Sequence, residues 1–244
     1  HRIAEAGRGP VRPRVAVIVP VKNTYSQAPN LALSRLAEKP LLDYTLDTIA
    51  GDPAYACVLV ATDDTRVVAH CQQRGDVQVY LRGGDLSHPS TRFADVVVDA
   101  LGYLENTLRI LPDIVIVLSA HTPLRRPEHI VEAIDTLLLY PVEQVLSTWE
   151  NHDLQYRHGR DGMQAVNAGA IDEARFEREA LYSCNGAIRA MWREQVTSEY
   201  FNSGRIGHIV MTRTESLIAK KPEERCWLEL LLNSKAQATT GDPP

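Results

Sequence analysis

Val15-Ala-Val-Ile-Val19, Val58-Leu-Val-Ala61 and Ile114-Val-Ile-Val-Leu118 are unbroken runs of apolar, mostly β-branched residues. A strand with one wet face alternates polar and apolar side chains. A continuous run belongs to a strand covered on both faces, as in a parallel sheet sandwiched between helices. Weaker strand signals follow at residues 144–147 and 208–211. Helical patterns lie between them. Residues 40–49 put Leu42, Leu46 and Ile49 on one face, and residues 65–74, 95–108, 128–139 and 223–232 supply four more helices. Strands alternating with helices predict right-handed βαβ units, and hence an α/β fold with a mostly parallel twisted sheet and helices on both faces. Such sheets bind ligands beyond the carboxyl ends of their strands. The segments to inspect are therefore residues 20–30, 62–64 and 119–125.

The pattern fills residues 15–234 as one domain. The Arg/Gly/Pro-rich stretch 1–14 and the polar stretch 235–244 are read as tails. Residues 149–181 read as a polar excursion from the sheet, broken by His152, His158 and Gly159, with a β-ribbon as the form that suits it. The net charge of −5 lacks the basic footprint of a nucleic-acid binder, although a local basic pocket for phosphate is compatible with it. No apolar run is long enough to span a membrane. The four cysteines have no CxxC spacing, which argues against zinc. Free thiols without a signal peptide point to the cytoplasm.

The segments after the strands carry a set of short motifs in fixed order. Pro20, Pro29 and Lys39-Pro40 follow the first strand, and Ala61-Thr-Asp63-Asp64 ends the second. Then come Leu81-Arg82-Gly-Gly-Asp85-Leu86, Thr122-Pro-Leu-Arg125 and Tyr182-Ser-Cys-Asn185-Gly186-Ala-Ile188. Together they resemble the CMP-sugar synthetases, the acylneuraminate and KDO cytidylyltransferases, over most of the chain. In that family an anomeric hydroxyl attacks the α-phosphate of CTP and pyrophosphate leaves. The resemblance implies CTP, or another nucleotide, and an acidic sugar-like acceptor as ligands, and a homodimer formed through the 149–181 excursion. It places Lys22 on phosphate, and Lys22 with Asp63 at the catalytic centre. Arg82 and Ser90 fall on the cytosine, and Arg175 on the acceptor carboxylate, a task suited to the bidentate guanidinium. Arg125 and Asn185 complete the acceptor side.

The departures from the family are as informative. Its phosphate loop is glycine-rich, because bare backbone lets N–H groups converge on oxygens. Residues 22–29 here contain no glycine, and Ser26 and Leu31 stand where the family has lysines. The family's S-x-D-I-D, which resembles a hard-cation site, reads Ser216-Leu-Ile218-Ala-Lys220. The resemblance thus implies Mg²⁺ while its usual ligands are missing, and the sequence offers no metal site of its own. Lys220 is a candidate to occupy the cation's place electrostatically. Ser119 replaces the family's acceptor-site glutamine. Asp63 and Asp64 also suit helix capping, Arg125 suits a loop-closing ion pair, and Asn185-Gly186 suits a tight turn. Arg175 sits in a run of charges that suits a solvated helix face. His88, His121 and His152 are acid–base candidates by residue type alone. Two readings follow: a cytidylyltransferase transferring CMP to an acidic sugar-like acceptor, or the same fold kept as a binding module or rebuilt for metal-independent chemistry.

Overall fold

A computed structural model describes residues 12–25, 28–29, 31–88, 90–167 and 180–240. Its centre is a seven-stranded sheet: β1 (Val15–Val21), β2 (Tyr55–Thr62), β3 (Gln78–Leu81), β4 (Ile114–Leu118), β5 (Gln144–Asn151), β6 (Leu181–Trp192) and β7 (Ile206–Val210), in spatial order β7-β5-β6-β4-β1-β2-β3. Every pairing is parallel except those of β6, which runs antiparallel to β4 and β5. The fold is the mostly parallel α/β sheet that the continuous apolar runs predict.

The reason those runs are continuous is visible in β1. Val15, Val17, Val19 and Val21 point into one core, shared with helix α1 (Leu41–Leu46), α2 (Thr65–Arg74) and α4 (Pro127–Leu139). Ala16 and Ile18 point into a second core on the other face, under α3 (Phe93–Asn106). With both faces dry, each fully buried valine or isoleucine contributes roughly 2 kcal/mol. A closing helix, α5 (Pro222–Thr240), puts Leu228 into a third, smaller cluster with Leu31, Leu36 and Leu124.

The differences from the sequence reading are local. The first helix is one turn and a half, because residues 47–50 leave the helix as turns. The last helix runs on through residues read as tail. Strand β3 was hidden by its half-exposed side chains, which give no apolar run. Within the excursion, residues 149–151 end β5, and 156–159 pairs with 162–165 as an antiparallel ribbon. Residues 168–179 lie outside the described residues.

Candidate functional site

A cavity of about 400 Å³ opens at the carboxyl ends of β1 and β4. Its wall is drawn from β1 (Pro20, Val21), the loop after β3 (Arg82, Leu86, His88), the start of α3 (Phe93, Val96), the end of β4 (Ser119, His121), β6 (Cys184, Gly186, Arg189) and Lys220. Among the described residues four cations, Lys22, Arg82, Arg189 and Lys220, line it, and no aspartate or glutamate does. In a chain of net charge −5, this is a local reversal of sign that suits an anionic ligand.

At the β1–β3 end, backbone geometry holds the charges. Arg82 is nearly buried. Its Nη1 donates to the Leu86 carbonyl (2.9 Å) and its Nη2 to the Val21 carbonyl (2.9 Å), with Asp63 Oδ1 at 3.5 Å. Its Nε is buried without a hydrogen bond. Asp63 Oδ1 also accepts the Asn23 N–H at 2.7 Å, tying the loop after β1 to the end of β2. Lys22 Nζ sits 3.5 Å from the His88 carbonyl and lines both the cavity and a neighbouring depression shared with Asp63 and Arg82. Ser90 is exposed beside the rim, its Oγ 2.7 Å from His88 Nδ1. Lys22, Asp63, Arg82 and Ser90 are thus brought together. Asp64 faces away and caps α2, accepting from the Arg66 N–H at 2.9 Å.

At the other end, two expected ligand residues do not reach the wall. Arg125 is buried: its Nη1 donates to the carbonyls of Ser119 (3.1 Å) and Ala187 (2.9 Å) and to Thr122 Oγ1 (3.2 Å). Burial lowers its pKa to about 9. Among the described residues no acid closes the ion pair that the sequence suggested; backbone oxygens and Thr122 Oγ1 take that place. Asn185 is likewise engaged: its Oδ1 accepts from Ser147 Oγ (2.6 Å) and the Ala187 N–H (3.0 Å), and its Nδ2 donates to Ser216 Oγ (2.8 Å). These bonds anchor a bulge in β6 between Cys184 and Arg189. Gly186 supplies the positive φ of +66° that the bulge requires, with open space where a Cβ would stand. The wall is completed by residues that motif matching did not single out, above all Arg189. The available signal was a charge inside an otherwise apolar strand.

His121 and Lys220 also face this end. Burial, with Lys220 adding to it, pushes the His121 imidazole down to about 3, so it is neutral at physiological pH and a poor base. Lys220 is exposed overall, yet protein crowds its ammonium enough to lower its pKa by desolvation. Arg175 and Ser26 lie outside the described residues. The described donors do not fit the divalent cation that the resemblance implied: among the described residues the cavity wall holds no carboxylate, and no cluster of three or more His, Cys, Asp or Glu is able to hold a metal.

The fold and several sequences are shared with known proteins. The chain is similar to the 3-deoxy-manno-octulosonate cytidylyltransferase of an Anaeromyxobacter species, 32% identical over 125 residues, covering 51% of this chain and 46% of that enzyme. It is similar to the N-acylneuraminate cytidylyltransferase of Streptococcus agalactiae serotype III, 26% identical over 177 residues, covering 70% of this chain and 41% of that one. The aligned stretch thus spans less than half of either relative. Among solved structures, a CMP:2-keto-3-deoxy-manno-octonic acid synthetase complexed with CTP superposes with a TM-score of 0.66 at 16% identity, over 92% of this chain and 99% of that one. The 4-diphosphocytidyl-2C-methyl-D-erythritol synthase of Anaerococcus prevotii gives 0.65 at 12%, over 91% and 100%. The family model described as cytidylyltransferase matches residues 16–213, and the chain belongs to that family.

Proposed function

We propose that this protein binds CTP in the cavity and transfers CMP to an acidic sugar-like acceptor. The observation that carries the reading is the cavity itself, lined among the described residues by four cations and no carboxylate, at the strand ends of a cytidylyltransferase-family chain. In the transfer, the acceptor hydroxyl oxygen bonds to the α-phosphorus and gives up its proton to solvent water. Pyrophosphate leaves with the electrons of the broken P–O bond. Fixed positive charge suits the oxygens that gain charge. Lys22 meets the phosphates, and Asp63 works with it by holding the Asn23 loop against Arg82. Arg82 and Ser90 form the base side. Arg125 and Asn185 act on the acceptor through the wall that they shape, and Arg175 joins from outside the described residues. Lys220 lends charge where relatives would place a cation. A homodimer through 149–181 and a cytoplasmic location complete the reading; four free thiols suit the latter, and no helix among the described residues is long and apolar enough to cross a membrane.

Calorimetric titration with CTP, CMP, ATP and UTP, with Mg²⁺ and with EDTA, tests it. Cytidine-selective binding that changes less than about twofold on removing Mg²⁺ is the expected result, with Lys220→Ala weakening it roughly tenfold, the worth of one charge-assisted contact. Absence of any nucleotide binding would overturn the reading. The glycine-free loop favours a second one, a binding module without turnover; pyrophosphate release with a sugar acid separates the two.

A further inference from the structure

Arg189 is a charge in a strand whose neighbours Ile188, Ala190 and Met191 are buried. It is half-buried, and burial lowers its pKa. Among the described residues its three hydrogen bonds all leave from Nη1 and all end on neutral oxygens: Gln144 Oε1 (3.0 Å), the Phe201 carbonyl (2.6 Å) and Asn202 Oδ1 (3.0 Å). Its guanidinium carbon lies 4.5 Å from the centre of the Phe201 ring. No carboxylate among the described residues lies within ion-pair distance of it. A partly desolvated cation without a counter-ion is unfavourable unless an anion visits. The partners fix the guanidinium through one nitrogen and one face. Nε and Nη2, the edge that matches a carboxylate, make no hydrogen bond among the described residues.

Position decides which substrate this edge meets. Strands are about 4.8 Å apart, so β6 lies about 10 Å from β1 and about 19 Å from β3, whose end carries Arg82. A nucleotide held between Lys22 and Arg82 leaves the β6 end to the second substrate. We propose that Arg189 holds the acceptor's carboxylate, taking on the role that the family resemblance gives to Arg175, and is thereby a specificity-determining residue; this rests on the cytidylyltransferase reading above.

The test titrates the full chain, alone and with CMP present, with 3-deoxy-manno-octulosonate, N-acetylneuraminate and the methyl ester of each. At least one acid is expected to bind, with its uncharged ester at least tenfold weaker. Arg189→Gln should lose roughly thirtyfold in affinity for the acid, as expected for a hydrogen-bonded charge. Its CTP affinity should fall less than its acid affinity does, because Lys22 and Arg82 hold the nucleotide, and Arg189→Lys should recover part of the loss. Equal binding of acid and ester, full acid affinity in Arg189→Gln, loss of CTP in its place, or no binding of either acid would overturn the proposal. Should Arg189→Gln fail to fold, the acid–ester difference and Arg189→Lys decide. Failure of the wild type to bind CTP would sink the transferase reading by itself, while the acid–ester comparison would still judge Arg189.

Discussion

The two ends of the cavity both carry motif residues, yet they are built differently. At the β1–β3 end, the motif residues Lys22, Asp63 and Arg82 stand together at or beside the opening. At the β4–β6 end, the motif residues Arg125 and Asn185 are turned into the protein, and Arg189 and Lys220 furnish the charge. A motif therefore reports two things that sequence spacing does not separate: a side chain aimed at a ligand, and a side chain that shapes the loop around it. Arg125 is the sharper case. Its three acceptors join the loop after β4 to the bulge in β6, so it builds the wall without being part of it.

The largest expected effect breaks this contrast if it fails. Arg125→Ala leaves the Ser119 and Ala187 carbonyls without their guanidinium donor and opens a hole in a fully enclosed site. A loss of about 3 kcal/mol in urea unfolding is expected, by analogy with other buried polar and charged networks. CTP affinity of the folded fraction should change less than about threefold. Unchanged stability with lost binding of a sugar acid would place Arg125 on the ligand and erase the difference between the two ends.

Much of this was legible in the chain and some was not, for physical reasons. β1, β2 and β4 announce themselves because both faces are dry, so each side chain must be apolar. β3 does not, because its side chains are half-exposed and carry no period. Helix α2 has the bounds that the sequence predicts, with Asp64 capping its start and a left-handed Gly75 at its end. The β1–β3 end of the site was readable because Lys22 and Asp63 directly follow strands with two dry faces and Arg82 sits in a short motif. Arg189 was not, because its meaning depends on a bulge that turns β6 and on partners 12, 13 and 45 residues away. No local pattern encodes that.

A second effect concerns pH and belongs to the β4–β6 end. His121 is only 4% exposed and is held neutral down to about pH 3. In the unfolded chain it takes up a proton near pH 6.5, so between those values the unfolded state binds more protons and stability falls with acidification. The slope approaches about 1.4 kcal/mol per pH unit, or about 2 kcal/mol between pH 6.5 and 5. Urea unfolding of wild type and His121→Gln over that range should show the slope reduced in the variant. Parallel curves would mean that other groups dominate acid sensitivity and that His121 is less enclosed than its surroundings indicate.

The smallest effect sets two adjacent carboxylates against each other. Asp63 and Asp64 follow the same strand, β2. Asp63 holds the Asn23 N–H and faces Arg82, whereas Asp64, 3% exposed, accepts from the Arg66 N–H and pairs with the Arg66 guanidinium. Removing a helix cap costs about 1 kcal/mol, and the ion pair with a half-exposed arginine adds little to that. Asp64→Ala should therefore lower stability by about 1 kcal/mol and leave CTP affinity unchanged. Asp63→Ala should release the Asn23 loop and weaken CTP binding out of proportion to its effect on stability. The informative quantity is the ratio of binding loss to stability loss in each variant. Matching ratios would mean that the two aspartates act as one unit, and that the strand end, rather than Asp63 alone, builds the nucleotide side of the cavity.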